Sequence, residues 1–297
     1  RIEKMLFDLF GFSRMGMGKK LKNMAVEYYR TTSQQILERI LQGKFIHIDE
    51  TQINIGKVSG YVWVLSNMED VHFLYTPTRE GDFLRGMLVD FKGVIISDFY
   101  GAYCYPEWIQ QKCLVHLIRD LNDDLRSSPF DEEYKKMTEE FTILLRRVVD
   151  TVDKFGLKKR HLAKHKKEAI RFFRDIGRKS FHSELAQKYQ KRFLKNENTL
   201  FTFLDYDGVP WNNNNAEHAI KHFAVYRNGM TPIGAQIKEE GIKSHLALLS
   251  IFQTCRYRGI NFLKFLVSKE KDIDRFSQRR SCKSTFTSDN VNEMPLR

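Results

Sequence analysis

The chain has 297 residues, 42% of them apolar and 29% charged, which is the balance of a globular protein able to bury one large core or two small ones. A net charge of +12 points to a polyanionic partner, either nucleic acid or an anionic membrane surface, and no apolar run approaches the roughly 20 residues of a membrane span. Cys104, Cys113, Cys255 and Cys282 lie at irregular spacings with no secretory signal, which argues against a disulfide framework and for reduced thiols in the cytoplasm.

The chain opens on Arg1 inside a helix-like pattern, so its natural N-terminus is expected upstream. Residues 1–44 read as helical, with Ala25, Val26, Tyr29, Ile36, Leu37 and Ile40 at spacings near 3.6. From 45 to 120 the period changes. FIHID, YVWVLSN and VHFLYTPT are short β-branched and aromatic runs separated by turn residues, and they predict three consecutive antiparallel strands. REGDFLRGMLVDF carries a helical stripe, and GVIISD reads as a strand covered on both faces. KCLVHL is expected to be a further strand, and the first and fourth strands should lie side by side. Residues 121–205 read as a basic helical insertion and 206–268 as a return to the compact core. The polar tail from 269 is expected to be disordered.

Positive charge is concentrated rather than spread. Residues 154–195 hold fifteen Lys or Arg against three acids, an excess of twelve that equals the excess of the whole chain. Alternating ion pairs need both signs, so this imbalance favours a phosphate-binding surface over a merely solvated face. Lys158, Lys159, Arg160, Lys164, Lys166, Lys167 and Arg171 are its candidate DNA contacts, with Lys221 outside it. Phe172, Phe173, Tyr189 and Phe193 are expected to form the core of the insertion rather than stack on bases.

Three carboxylates stand in unusual settings. Asp49 ends FIHID, Asp98 ends GVIISD, and Glu217 follows the block WNNNN. An isolated buried carboxylate costs several kcal/mol unless it finds a cation or a proton. Three brought together would repel one another unless a divalent cation held them, and oxygen ligands of this kind suit Mg²⁺ or Mn²⁺. Taken singly, each Asp could simply end a strand, and Glu217 could simply favour a first helical turn. Glu50 competes with Asp49, but strand alternation puts Glu50 on the side of the isoleucines. Asn213 or Asn214 can cap the helix that carries Glu217.

Cys113 and His116 form a C-x-x-H pair nine residues after Cys104. A structural zinc site needs four ligands and the sequence offers no convincing fourth, so a buried His with Cys113 as core filler is the expected role. No phosphate-cradling loop, dinucleotide fingerprint or recognised nucleophile setting is present.

HIDET, SDFYGAY, the C-x-x-H-x-x-R of Cys113, His116 and Arg119, NNNAEHAIK, and LLSIFQTCRYRGIN at 248–261 together resemble bacterial DDE transposases of the insertion-sequence-sixty-six family. The resemblance covers roughly residues 40–268. It implies an α/β, ribonuclease-H-like fold: a mixed five-stranded sheet with flanking helices and a helical insertion before the Glu-bearing helix. It also implies a catalytic, metal-holding triad of Asp49, Asp98 and Glu217 with two Mg²⁺ or Mn²⁺ ions, supported by His116, Arg119, Asn213 and Asn214. The implied partner is double-stranded DNA, and joining two ends implies a homo-oligomer on DNA. Two positions depart from the family pattern. Asn212 stands where an acid is usual, and His218 stands where Arg usually follows the catalytic Glu. The expected function is therefore a DNA transposase core. A structure-specific nuclease on the same fold and a repurposed, non-catalytic DNA-binding protein are the alternatives.

Overall fold

A computed structural model describes residues 23–55, 58–229 and 239–278. The helical reading of residues 1–22, and the tail beyond 278 with Cys282, lie outside the described residues. The elements are α1 (Arg30–Leu41), β1 (Phe45–Ile55), β2 (Val58–Ser66), β3 (Val71–Thr76), α2 (Asp82–Met87), β4 (Val94–Ser97), β5 (Ile109–Lys112), α3 (Leu114–Ser127), α4 (Glu132–Phe155), α5 (Lys166–Arg178), α6 (Glu184–Lys195), α7 (Asn214–Gly229), α8 (Glu239–Tyr257) and α9 (Phe262–Ser268). The strands form one mixed five-stranded sheet in the order β3-β2-β1-β4-β5, with β1 and β4 adjacent as the sequence predicts.

Contacts divide the chain into two compact units. One is built from the described parts of 1–42, 50–78 and 219–297, the other from 43–49 and 79–218. In the second unit β1 pairs with β4, and β4 with β5, both in parallel. All four residues of β4 are buried, which is why it reads as an unbroken apolar run. Gly93 lets β4 start close beside β1. A Cβ there would lie 2.5 Å from the carbonyl oxygen of Lys44, the same oxygen that accepts the Val94 N–H at 3.0 Å.

KCLVHL is not a strand. β5 stops at Lys112, Cys113 is extended, and α3 begins at Leu114. Leu114, Leu117 and Leu121 repeat at helical spacing and are all buried. The short apolar run fitted either period, and the leucine stripe decides it.

Beyond α3 the same unit continues into the insertion. Asp131 caps α4 by accepting the Tyr134 N–H at 2.9 Å, and Ser183 caps α6 by accepting that of Ala186 at 3.1 Å. The aromatic residues of the basic stretch turn inward, as expected. The ring of Phe141 lies 5.6 Å from Phe172, 5.0 Å from Phe193 and 6.3 Å from Phe201. Val94 and Ile96 of β4 belong to this same core, so the insertion helices pack on the sheet rather than apart from it.

In the first unit β2 pairs antiparallel with β3, and α8 covers the outer edge of β3. Asp70, almost fully buried, accepts from Arg39 at 3.0 Å and from Arg258 at 2.7 Å. Residues 269–278, expected to be disordered, are ordered: 273–278 are helical and Ile273 is buried. Their polar composition hid two apolar anchors, Ile273 and Phe276, whose ring lies 5.5 Å from that of the buried Phe265. No described helix is long and apolar enough to cross a membrane.

Candidate active site

Asp49 lies within β1, which runs on to Ile55 rather than stopping at the carboxylate that closes its apolar run, and Asp98 follows the last residue of β4. The ladder pairs Phe45 with Val94, Ile46 with Ile95 and His47 with Ile96, and the same offset sets Asp49 against Asp98 two residues further on. Both are half-buried. This is the C-terminal end of a parallel strand pair, where open α/β sheets place their ligands. Asp98 Oδ1 accepts the Tyr100 N–H at 2.9 Å, a local turn that fixes the carboxylate just past the strand. Lys112, a fully buried lysine, braces the same corner. Its Nζ donates to the Asp98 carbonyl oxygen at 3.0 Å and to Ser97 Oγ at 3.2 Å. Burial pulls its pKa down against the opposing pull of Cys104 and Asp98. The sequence reading missed Lys112, whose one signal was a lysine closing a buried strand.

Glu217 lies in the first turn of α7, and its N–H donates to the Asn213 carbonyl at 3.1 Å. Asn213 is completely buried and works as a staple rather than a side-chain cap. Its Nδ2 donates to the Ile48 carbonyl at 2.8 Å, its Oδ1 meets His47 Nδ1 at 3.1 Å, and its N–H donates to Cys113 Sγ at 3.2 Å. The start of the Glu-bearing helix is thereby tied to β1 one residue before Asp49, and to the junction between β5 and α3. Burial lowers the His47 pKa to about 4, against a smaller upward pull from Asn213, so the ring is neutral at pH 7. Asn214 is exposed, and its N–H donates to Asn212 Oδ1 at 3.1 Å. Neither Asn212 nor Asn213 was singled out in the sequence for these contacts, because their partners lie far away along the chain.

His116 stands on the first turn of α3 with Nδ1 3.5 Å from Glu217 Oε1. Arg119, one turn later, is exposed, as is His218. Among the described residues, the one group of three potential metal-ligating side chains with all ligand atoms within 4.8 Å is Cys113, His116 and Glu217. The three acids do not form such a group. Cys113 was expected to be mere core filler. It is buried, but its sulfur also receives the Asn213 N–H. Burial pushes the Cys113 thiol up, against the backbone N–H groups of His116, Asn213 and Val115.

The predicted DNA contacts Lys158, Lys159, Arg160, Lys164, Lys166, Lys167, Arg171 and Lys221 are all exposed. Among the described residues Lys166 is the one of these whose side chain pairs with an acid, Asp205 at 2.7 Å, while the Lys159 backbone N–H donates to Asp207 Oδ1 at 2.8 Å. A cleft of 850 Å³ beside the insertion is lined by Trp108, Ile170, Phe173 and Arg174, and none of the three acids lines it. Cys104, Cys113 and Cys255 are free thiols.

No curated protein matches the chain. A family profile, Transposase IS66 family, matches residues 1–237, well over half its length. The chain belongs to the Transposase IS66 family.

Proposed function

We propose that this protein is the catalytic core of a DNA transposase, with a ribonuclease-H-like sheet carrying Asp49, Asp98 and Glu217 as its metal-holding triad. The observation that carries the reading is the β1–β4 register, whose offset, continued two residues past the His47–Ile96 pair, sets Asp49 within β1 against Asp98 just beyond the end of β4. The Asn213 staple supports it by fixing the helix of Glu217 to β1 at Ile48. Half-buried carboxylate oxygens fit Mg²⁺ or Mn²⁺, and ions held by Asp49, Asp98 and Glu217 would activate the attacking oxygen and stabilise the leaving one. Ligands shared between two ions need not crowd within one coordination sphere, which accommodates the separation of the three acids.

The remaining work falls to the chain itself. Asp49 and Asp98 hold fixed positions because the strand ladder, the Tyr100 turn and Lys112 leave them little freedom. Glu217 completes the set from α7. Lys158, Lys159, Arg160, Lys164, Lys167 and Arg171 bind the DNA backbone, with Lys166 and Lys221 as further contacts. Water cuts a phosphodiester at a transposon end, and the exposed 3′-hydroxyl then attacks target DNA. Acting on two ends at once calls for a homo-oligomer on DNA, working in the cytoplasm where the thiols stay reduced.

The test is Asp98→Asn assayed on labelled duplex carrying the element's ends. Strand cleavage should be lost while the DNA-binding affinity stays within about twofold, since one acid away from the basic surface contributes little to phosphate contacts. Retained cleavage removes Asp98 from the mechanism. Hydrolysis by the unaltered protein without joining of the labelled 3′ end identifies a nuclease, and DNA binding with neither reaction identifies a non-catalytic protein.

A further inference from the structure

We propose that Cys113, His116 and Glu217 form a binding site for a thiophilic divalent cation of the zinc class, with an open fourth position. The sulfur, imidazole nitrogen and carboxylate oxygen lie within 4.8 Å of one another. His116 Nδ1 and Glu217 Oε1 face each other at 3.5 Å, both shielded from solvent, and among the described residues neither makes a hydrogen bond. Two shielded polar atoms that approach without bonding are costly unless a proton or a metal cation lies between them, and the Cys113 sulfur within 4.8 Å of both favours the metal. Nitrogen and oxygen ligands of one tetrahedral zinc, each at about 2.0–2.1 Å, lie about 3.3 Å apart, close to the spacing seen here.

The ligands are also held in place independently of any ion. Cys113 donates its N–H to the Ser97 carbonyl at 2.8 Å, and its sulfur receives the Asn213 N–H at 3.2 Å. His116 follows three residues later, in the first turn of α3. Glu217 comes from the first turn of α7, which Asn213 ties to the same corner. The sequence offered no convincing fourth ligand beside Cys104, Cys113 and His116, and Glu217 lies about a hundred residues further along the chain.

The donor set decides the class of ion. Thiolate and imidazole select zinc-like cations, whereas Mg²⁺ takes oxygen ligands and waters. Three protein ligands with a vacant coordination position match reactive rather than purely structural zinc sites. On binding, a metal–sulfur bond forms as the Cys113 thiol gives its proton to solvent. An ion here would hold Glu217 by Oε1, and so compete for the carboxylate that the phosphoryl-transfer reading assigns to a magnesium site. The proposal nonetheless stands without that reading.

Cobalt(II) titration of the full chain tests it. One equivalent should produce a thiolate-to-cobalt charge-transfer band in the near ultraviolet with visible d–d bands, and zinc should displace both. Cys113→Ser should lose the charge-transfer band. His116→Ala and Glu217→Gln should weaken binding by at least the roughly tenfold that even an outer-sphere partner contributes. Glu217→Gln keeps the shape of the side chain, so it carries the test if Cys113→Ser loses its native circular dichroism. No thiolate band, the same band in Cys113→Ser, or unchanged affinity in Glu217→Gln overturns the site. Asp98→Asn should keep the cobalt spectrum even as it loses cleavage, so failure of either reading is recognisable by itself.

Discussion

With its Nδ2 given to the Ile48 carbonyl, Asn213 can offer only Oδ1 to His47, which fixes the neutral ring with its proton on Nδ1. One buried amide thus sets a tautomer and ties down the start of the helix that carries Glu217. Asn213→Ala leaves the Ile48 carbonyl and the His47 N–H buried without partners, at about 1–3 kcal/mol for each orphaned group. Asn213→Asp keeps the bond to His47 but turns a carboxylate oxygen toward a carbonyl, so it should not rescue stability at pH 7. Urea unfolding of both variants should show lowered midpoints with an unchanged slope. Wild-type stability for the Asp variant would mean that the staple does not hold the helix. Little of this was legible in the sequence. The acids announced themselves by ending apolar runs, whereas Asn213 looked like any helix-capping asparagine because its partners at Ile48 and Cys113 are distant along the chain. Cys113 read as filler for the same reason.

Apart from β5, the polar IQQK, the strands of the sheet were legible as elements, since alternation and β-branched composition depend only on near neighbours. What closes the sheet's edge was not. β3 is an edge strand, and an uncovered edge presents unpaired N–H groups that invite association. Here Ser250 Oγ accepts the Phe73 N–H at 2.9 Å and Thr254 Oγ1 accepts that of Val71 at 3.0 Å. The match is geometric. Residues four apart on a helix are about 6 Å apart along its axis, and residues two apart on a strand are separated by nearly the same distance. Ser250 is thereby held between the strand and its own helix, where its hydroxyl donates to the Leu246 carbonyl at 2.8 Å. Ser250→Ala should destabilise the protein by about 1–3 kcal/mol, because the Phe73 N–H loses its acceptor in a buried place. Hydrogen exchange at Phe73 reads the loss directly. Unchanged protection there would show that α8 does not seal the edge. KCLVHL was misread for a related reason: the three-residue apolar run of Cys113, Leu114 and Val115 fits either period until the leucines beyond it are counted.

Across the whole molecule the charge excess is sorted by ion pairing in a way that composition alone could not reveal. In the later part of the insertion about half of the cations are matched by acids, while Arg178, Lys191 and Lys195 are exposed. Lys179 pairs with Glu140 at 2.7 Å, Lys188 with Asp124 at 3.0 Å and Arg192 with Asp120 at 2.7 Å. In the earlier part, among the described residues, no acid pairs with Lys158, Lys164, Lys167 or Arg171, and all four are exposed. An unmatched cation on a surface is available to a phosphate, whereas a matched one must first give up its partner. The DNA surface should therefore centre on residues 158–171 rather than cover the full basic stretch. Replacing Lys158, Lys164, Lys167 and Arg171 by Gln should flatten the dependence of log affinity on log salt by about 0.9 for each lost phosphate contact, a total of about 3–4. Replacing Lys179, Lys188 and Arg192 by Gln should leave that slope nearly unchanged while lowering thermal stability. Anisotropy titrations of a labelled duplex between about 50 and 200 mM salt separate the two sets, a range over which multi-contact binding changes steeply. Equal slopes for both triple and quadruple variants would mean that pairing does not select the DNA-binding face, and that the excess of positive charge acts only through its long-range field.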